Sequence, residues 1–326
     1  MRRKILMSAG SNWASTMVAA VIGLILVPVV LTAIGEKAYG IWALFAYGLA
    51  YPMILDSSFT LAINRFAAYH RNDTEQLNRF VSTSFLILAV LALLTLAASI
   101  LLSFFVADIF SAVTADMAGQ AKITCILVGA TFALKMLEST FSGALQGFLY
   151  YSRYNLVIII SNILRAVFVI VFLLFRRDAV TVQSGYMISA VISAVLMYIV
   201  ARKSIPGLQL KFALITKKIL LDLFRHTIHS IARSGSLILM FNTLTLLVGW
   251  AGSASDVTVY TIACRLPGFV RGLLAGAQNV FLPAVTGLHA QGKIDIIKRV
   301  ITKGTHISSV LTCAGCILLF VFAKEL

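Results

Sequence analysis

A chain of 326 residues that is 60% hydrophobic and only 12% charged, with a mean hydropathy of +0.95, falls outside the soluble globular class, where about twice that share of charge is usual. The formal net charge of +15 is no sign of nucleic-acid affinity, because lysine and arginine sit between apolar runs of membrane-spanning length. Barrel strands would be about ten residues long and strictly alternating, which is not the pattern here; the expected fold class is an all-α polytopic membrane protein.

From the N-terminus, Met1-Arg2-Arg3-Lys4 leads into a first span at about 9–34, too long for the core of a cleavable signal. A turn at Gly35-Glu36-Lys37 precedes a second span at 39–66, which carries Pro52 and the aromatic residues Trp42, Phe45, Tyr47 and Tyr51. Further spans are predicted at 79–107, 121–148, 154–175 and 180–201. The connection from Lys203 to Phe224 is the one long loop, and its mixture of apolar residues and lysines predicts an amphipathic helix on the membrane surface. Spans at 226–251, 257–285 and 301–323 bring the count to nine. Cys125, Cys264, Cys313 and Cys316 lie in apolar runs, where a thiol acts as a small hydrophobe. No metal or redox pattern accompanies them, and no cofactor is expected.

Orientation follows from the basic residues. Seventeen of the 27 lysines and arginines fall on the face of the N-terminus and four on the other, so the N-terminus is predicted to be cytoplasmic. The pattern then restarts. The turn at Gly35 recurs at Gly252, a shift of 217, and the hydropathy of residues 39–44 lines up with that of 257–262. Residue identity is nearly absent, so the repeat rests on spacing. The predicted organisation is an N-terminal six-helix lobe (1–205), a cytoplasmic linker with the amphipathic helix (206–225), and the first three spans of a C-terminal lobe (226–326). The lobes are expected to be related by a pseudo-two-fold axis along the membrane normal. Six spans per lobe predict about twelve, so nine imply a sequence that lacks about three C-terminal spans.

The stretch Gly35-Glu-Lys-Ala-Tyr-Gly-Ile-Trp-Ala-Leu44 resembles the Gly-x-x-x-Tyr-Gly-x-Trp/Tyr segment that opens the second span of polysaccharide flippases. Leu55-Asp-Ser-Ser-Phe59 and Ala62-Ile-Asn-Arg-Phe66 are similar to that family's Asp-x-Gly and Asn-Arg elements, with Ser57-Ser58 standing where glycine is usual. The family, of O-antigen type, belongs to the multidrug/oligosaccharidyl-lipid/polysaccharide exporter superfamily. The resemblance implies a two-lobed carrier in a bacterial inner membrane. Its substrate would be an undecaprenyl-pyrophosphate-linked oligosaccharide, a repeat unit of O-antigen, capsule or exopolysaccharide, moved from inner to outer leaflet by alternating access. A coupling cation (H+ or Na+) and polysaccharide assembly proteins are the implied partners.

The residues themselves point to an anion. Well inside spans lie Lys135, Arg165, Arg233, Arg265 and Arg271, against Asp56 and Glu138, a surplus of three positive charges. A cationic cavity in a low-dielectric surround attracts anions, and the planar fork of arginine suits pyrophosphate. Lys135 and Glu138, three apart, share a helix face and read first as a structural pair that neutralises itself. Asp56 serves either to neutralise a nearby arginine or to couple an ion, while Arg233 is near enough to a span end to snorkel. Arg165 has no acid in its own span. Arg265 and Arg271 are six apart, ~9 Å along a helix and ~120° around it, and Arg271 is nearer mid-span. Pro267, like Pro52 in the second span, predicts a kink, and the neighbouring glycines serve bending or close packing.

A multidrug or organic-cation exporter of the same fold would want carboxylates in the first span, and residues 9–34 contain none. A membrane enzyme would need a sizeable aqueous loop with paired carboxylates, yet the long inner loop holds one acid, Asp222. No Gly-rich phosphate loop, zinc pattern or Ser-His-Asp arrangement is present. A non-transporting scaffold leaves the buried arginines unexplained. The sequence is therefore read as a transporter and not an enzyme.

Overall fold

In hydrocarbon a backbone must satisfy its N–H and C=O groups within its own segment, which leaves long apolar runs only the helix. The computed structural model describes residues 2–211, 217–265, 267, 268, 272 and 294–321, and among these there is no strand. The helices are α1 (Arg2–Ile34), α2 (Glu36–Gly48), α3 (Met53–Tyr69), α4 (Thr74–Ile109), α5 (Ala118–Gly147), α6 (Tyr151–Phe175), α7 (Ala179–Ser204), α8 (Lys217–Ala251), α9 (254–265) and α10 (Ile294–Val321).

The first six expected spans are all present. Five helices among the described residues are long and apolar enough to cross a membrane, at Gly10–Ile34, Thr74–Ile109, Ala118–Gly147, Tyr151–Phe175 and Ala179–Ser204. The expected second span is covered by the pair α2 and α3, bent by 47° at the break between them, which are long and apolar enough to cross only when taken together. There the chain turns through i→i+3 bonds, Ala50 N–H to Tyr47 and Met53 N–H to Ala50, and Pro52, which has no N–H to give, stands at the N-cap of α3. Beyond these six the picture is coarser. α8 carries Lys217, Lys218, Asp222 and Arg225 in its first part, and its apolar part is confined to Ile238–Ala251. Most of the expected span at 257–285, including Arg271, lies outside the described residues.

Helix ends fall where the sequence supplies caps. Asp73 accepts from Gln76 N–H at 3.0 Å to start α4, and Asp178 from Thr181 N–H at 2.7 Å to start α7. At the start of α9, Asp256 accepts from both the amide (2.8 Å) and the hydroxyl (2.7 Å) of Ser253. These contacts hold the Asp256 carboxyl below the usual carboxylate range, the backbone bond first and the hydroxyl second.

The described residues form two compact units, Ile22–Thr261, and Met1–Val21 with Ile262–Leu326. In the first, α4 packs along α5, α5 and α6 along α7, and α3 against α5 and α8. The α3–α5 contact is close because glycine permits it: a Cβ at Gly147 would lie 2.5 Å from the Asn64 carbonyl oxygen and 2.7 Å from Ala67 Cβ. Phe59, Leu88, Leu145, Met197 and Leu223 are buried in one core cluster. Outward, α4 exposes Leu93, Leu94, Leu101 and Phe104, and α6 exposes Leu156, Ile163, Leu174 and Phe175, faces suited to lipid. In the second unit, α10 begins with Asp295, a carboxylate placed well for the helix dipole.

The helical part of the α7–α8 connection is continuous with α8 and turns Ile219 and Leu223 into the core cluster, while Leu221 is exposed. Upstream, residues 204–211 lie as a strap on α4. Asn78 donates to Gly207 C=O and accepts from Gln209 N–H, both at 2.9 Å, and Ser82 accepts from Lys211 N–H at 2.8 Å. Ile205 and Leu208 are buried beneath it.

Candidate functional site

The first unit holds a charged interior drawn from α3, α5, α6 and α7. Residues three apart on a helix share a face, and on α5 Lys135 Nζ lies 2.6 Å from Glu138 Oε2. Ser193, from α7, donates to the other Glu138 oxygen at 2.9 Å. A buried carboxylate is stable only when paired and hydrogen-bonded. Glu138 is: its side chain is 5% exposed, while that of Lys135 is 38% exposed, so the ammonium is the accessible half of the pair.

Asp56 sits in the first turn of α3, where the helix dipole favours a carboxylate. It faces the Ser139 hydroxyl and lies within electrostatic reach of Glu138 and Lys135. Its Oδ1 is buried and has no hydrogen-bond partner among the described residues. Tyr154 of α6 lies within reach of both carboxylates. The structure thus pairs Lys135 with Glu138 on α5, and α3, which carries Asp56, packs against that helix.

Arg165 occupies a separate position. On α6 the buried stripe is Val157, Ser161, Val169 and Leu173, four apart, and Arg165 stands in its middle. Its guanidinium lies 5.1 Å from the centre of the Tyr186 ring on α7. Its Nε is buried without a hydrogen-bond partner, and it forms no ion pair among the described residues. Tyr186 in turn meets Trp42 of α2 edge to face at 5.4 Å. Trp42 Nε1 donates to Gln183 Oε1 at 2.9 Å, and Gln183 Nε2 donates to Thr131 Oγ1 at 2.8 Å. This chain of contacts ties α2, α5, α6 and α7 together around the arginine.

Mid-span charges in α2–α7 are therefore balanced: Lys135 and Arg165 against Asp56 and Glu138. The surplus counted from the sequence rests on Arg233, Arg265 and Arg271. Arg265 is half-buried near the end of α9, Pro267 is exposed, and Arg271 and the side chain of Arg233 lie outside the described residues. Sequence reasoning passed over Ser139, Ser193, Gln183 and Tyr186. The α7 residues had a readable signal: Gln183, Tyr186, Ser189 and Ser193 form a polar stripe at helical spacing in an apolar span. Among the described residues no cluster of His, Cys, Asp or Glu is placed to hold a metal. A surface cleft of about 610 Å³ lies elsewhere, lined by Gly35, Glu36, Lys37, Asp116, Gln120 and Ser255. It is open and holds none of the interior charges.

No curated protein sequence matches the chain. Solved structures of low identity share its fold. An inward-facing multidrug resistance MATE family transporter of the MOP superfamily superposes with a TM-score of 0.79 at 13% identity, over 98% of this chain and 74% of that one. An outward-facing structure described in the same words gives 0.73 at 15% identity, over 99% and 73%. A MOP superfamily transporter from Pyrococcus furiosus, described as having a binding pocket of reverse polarity that suggests a different function, gives 0.74 at 15% identity, over 99% and 72%. The sequence profile of the family described as polysaccharide biosynthesis protein matches residues 5–289. The chain is a helical multi-pass membrane protein with the fold of the MATE transporters, and by that match it belongs to the polysaccharide biosynthesis protein family.

Proposed function

We propose that the protein is a carrier that flips a polyprenyl-pyrophosphate-linked oligosaccharide, a repeat unit of O-antigen, capsule or exopolysaccharide, from the inner to the outer leaflet of a bacterial inner membrane. In this reading its N-terminus is cytoplasmic, two lobes (1–205 and 226 onward) alternate access about the 206–225 connection, and it is not an enzyme. Family membership supports a substrate from polysaccharide synthesis. The observation that carries the chemistry is Arg165, a mid-span guanidinium held against Tyr186 with no acid paired to it among the described residues. A planar cation in a low-dielectric interior is a strong ligand for phosphate oxygens.

Arg265 and Arg271 add to the attraction for a pyrophosphate, since with Arg233 they carry the surplus of positive charge counted from the sequence. Arg165 and the accessible Lys135 ammonium are its further donors. Pro52 and Pro267 mark the helices that bend during the exchange of access, and polysaccharide assembly proteins receive the product.

A second reading has one observation in its favour. Asp56 offers a carboxylate oxygen, buried and without a hydrogen-bond partner among the described residues, which is what an organic-cation exporter would use. One experiment separates the two. In the native host, deletion of the gene and complementation with the complete reading frame, wild type or Arg165→Ala, is followed by leaflet-resolved assay of lipid-linked oligosaccharide. Inner-leaflet accumulation rescued by wild type and not by an equally expressed Arg165→Ala is the expected result. Normal surface glycan with altered resistance to cationic drugs would overturn the flippase and favour the exporter.

A further inference from the structure

The turn between α5 and α6 has a backbone feature that helix packing does not require. Leu149 N–H donates to Gln146 C=O and Tyr150 N–H to Leu145 C=O, both at 2.9 Å, the bonds of a helix end that pivots on a left-handed residue. The pivot is Leu149, at φ 60°, the one non-glycine residue with positive φ among the described residues. Glycine or asparagine is usual at such a pivot, because a larger side chain crowds its own backbone. The strain does not serve the core, since Leu149 is 46% exposed. A strained residue that holds an apolar side chain outward calls for something that side chain meets.

Its neighbours form a ladder of rings and cations. Phe148 and Tyr150 stack with ring centres 6.0 Å apart, 24° from parallel. Arg71, from the turn after α3, lies 5.3 Å from the centre of the Phe148 ring, and Arg153, in the first turn of α6, lies 5.1 Å from that of Tyr150. Arg71 reaches the turn because α3 lies close on α5 at Gly147, whose C=O accepts one of its N–H groups at 3.0 Å. Both arginines are exposed, and neither forms an ion pair among the described residues. The acids that follow Arg71 in the chain are engaged elsewhere: Asp73 caps α4, and Glu75 holds Arg79 at 2.6 Å.

At a membrane boundary, guanidiniums sit level with phosphates, tyrosine rings with headgroups, and exposed leucines with acyl chains. We infer that Arg71, Phe148, Leu149, Tyr150 and Arg153 form a binding site for an acidic phospholipid, its phosphate taken by the arginines and its acyl chain by Leu149. An acidic lipid fits better than a zwitterionic one, because the ammonium of a zwitterion opposes two cations that have no acid of their own. A soluble phosphate would use the arginines and leave Leu149 without a contact. In the orientation proposed above the site faces the cytoplasmic leaflet, but the binding rests neither on that orientation nor on the carrier reading.

Native mass spectrometry of the full-length protein in detergent, titrated with dioctanoyl phosphatidylglycerol or dioctanoyl phosphatidylcholine, reads the site. Wild type should retain phosphatidylglycerol in preference. Arg71→Gln/Arg153→Gln should bind it about 30-fold more weakly, at about fivefold for each arginine beside an acidic lipid. Leu149→Asn suits the left-handed pivot and keeps both arginines, yet should also bind more weakly than wild type. Arg202→Gln/Lys203→Gln, which removes the same charge from exposed residues at the end of α7, should cost less. Circular dichroism and melting temperatures check folding, and Arg153→Gln alone, which leaves the Gly147 bond in place, stands in should the double variant fail to fold. Equal retention of the two lipids by wild type, or unchanged binding in Leu149→Asn, would overturn the site. Equal loss from the two double variants would overturn it in favour of diffuse charge, and displacement of the lipid by an equal concentration of inorganic phosphate in favour of a soluble anion. None of these outcomes bears on the glycan, which the leaflet assay reads separately.

Discussion

The strap between α7 and α8 gives a prediction whose size can be worked out from the structure. Asn78→Ala removes two bonds at once, leaving Gly207 C=O and Gln209 N–H without the partners they hold at 2.9 Å. A fully buried orphaned group costs about 1–3 kcal/mol, but these backbone groups are only part-buried, so the low end applies and the pair is worth about 2 kcal/mol. Against that, Ile205 (0% exposed) and Leu208 (5%) each contribute about 1.5–3 kcal/mol of burial. The apolar anchors outweigh the lost bonds, so the strap stays docked and only its polar edge loosens. Local opening easier by about 2 kcal/mol corresponds to hydrogen exchange about 30-fold faster at the Gln209 amide. The Lys211 amide, bonded to Ser82, should change less. Exchange mass spectrometry on the peptide covering 204–211 checks this. An unchanged Gln209 rate, or equal acceleration through α4 and α7, would refute the division of labour between Asn78 and the apolar anchors.

Three further outcomes are expected. Gly147→Leu should lower the melting temperature, because its side chain meets Asn64 carbonyl oxygen and Ala67, an overpacking that costs about 1–3 kcal/mol; Gly119→Leu, with nothing within 4 Å, should not. Trp42→Phe keeps a ring against Tyr186 but strands the Gln183 oxygen, at about 1–2 kcal/mol; a double-mutant cycle with Gln183→Leu should return most of it, and zero coupling would contradict the bond. Asp256 is an acid held below its unfolded range, so its contribution is present above about pH 4 and is lost as pH falls through the lower folded value. Amide exchange at the α8–α9 turn should accelerate over that acid range in wild type and be pH-independent, after correction for intrinsic rates, in Asp256→Asn.

The helices were legible because the membrane imposes a length: about 20 apolar residues read as a span whether or not their partners are known. The turn at Gly35 follows from local chemistry in the same way, since its positive φ suits glycine. Pairing was not legible. Nothing in the isolated sequence distinguishes Gly143 and Gly147, which let α3 lie against α5, from Gly119, which contacts nothing. Asn78 looked like any polar residue of a cytoplasmic loop, since its two partners are backbone groups about 130 residues away. Along Lys203 to Phe224 periodicity reports that a face is apolar and not what covers it; Ile219 and Leu223 of that stretch lie in the core cluster.

The same limit explains which part of the charged interior could be read. Lys135 and Glu138 met as expected because helical spacing alone brings them together. Arg165 has no acid in its own span and forms no ion pair among the described residues; the neighbouring helix supplies an aromatic face. Asp56 lies on α3, which packs against the α5 of Lys135 and Glu138, and a count along the chain cannot weigh such packing. That count treated every buried charge as part of one cavity and arrived at a cationic path. Among the described residues packing sets Lys135 against Glu138 and Arg165 against Tyr186; which charges share a cavity is decided by such contacts between helices, and a sum of charge along the chain does not report them.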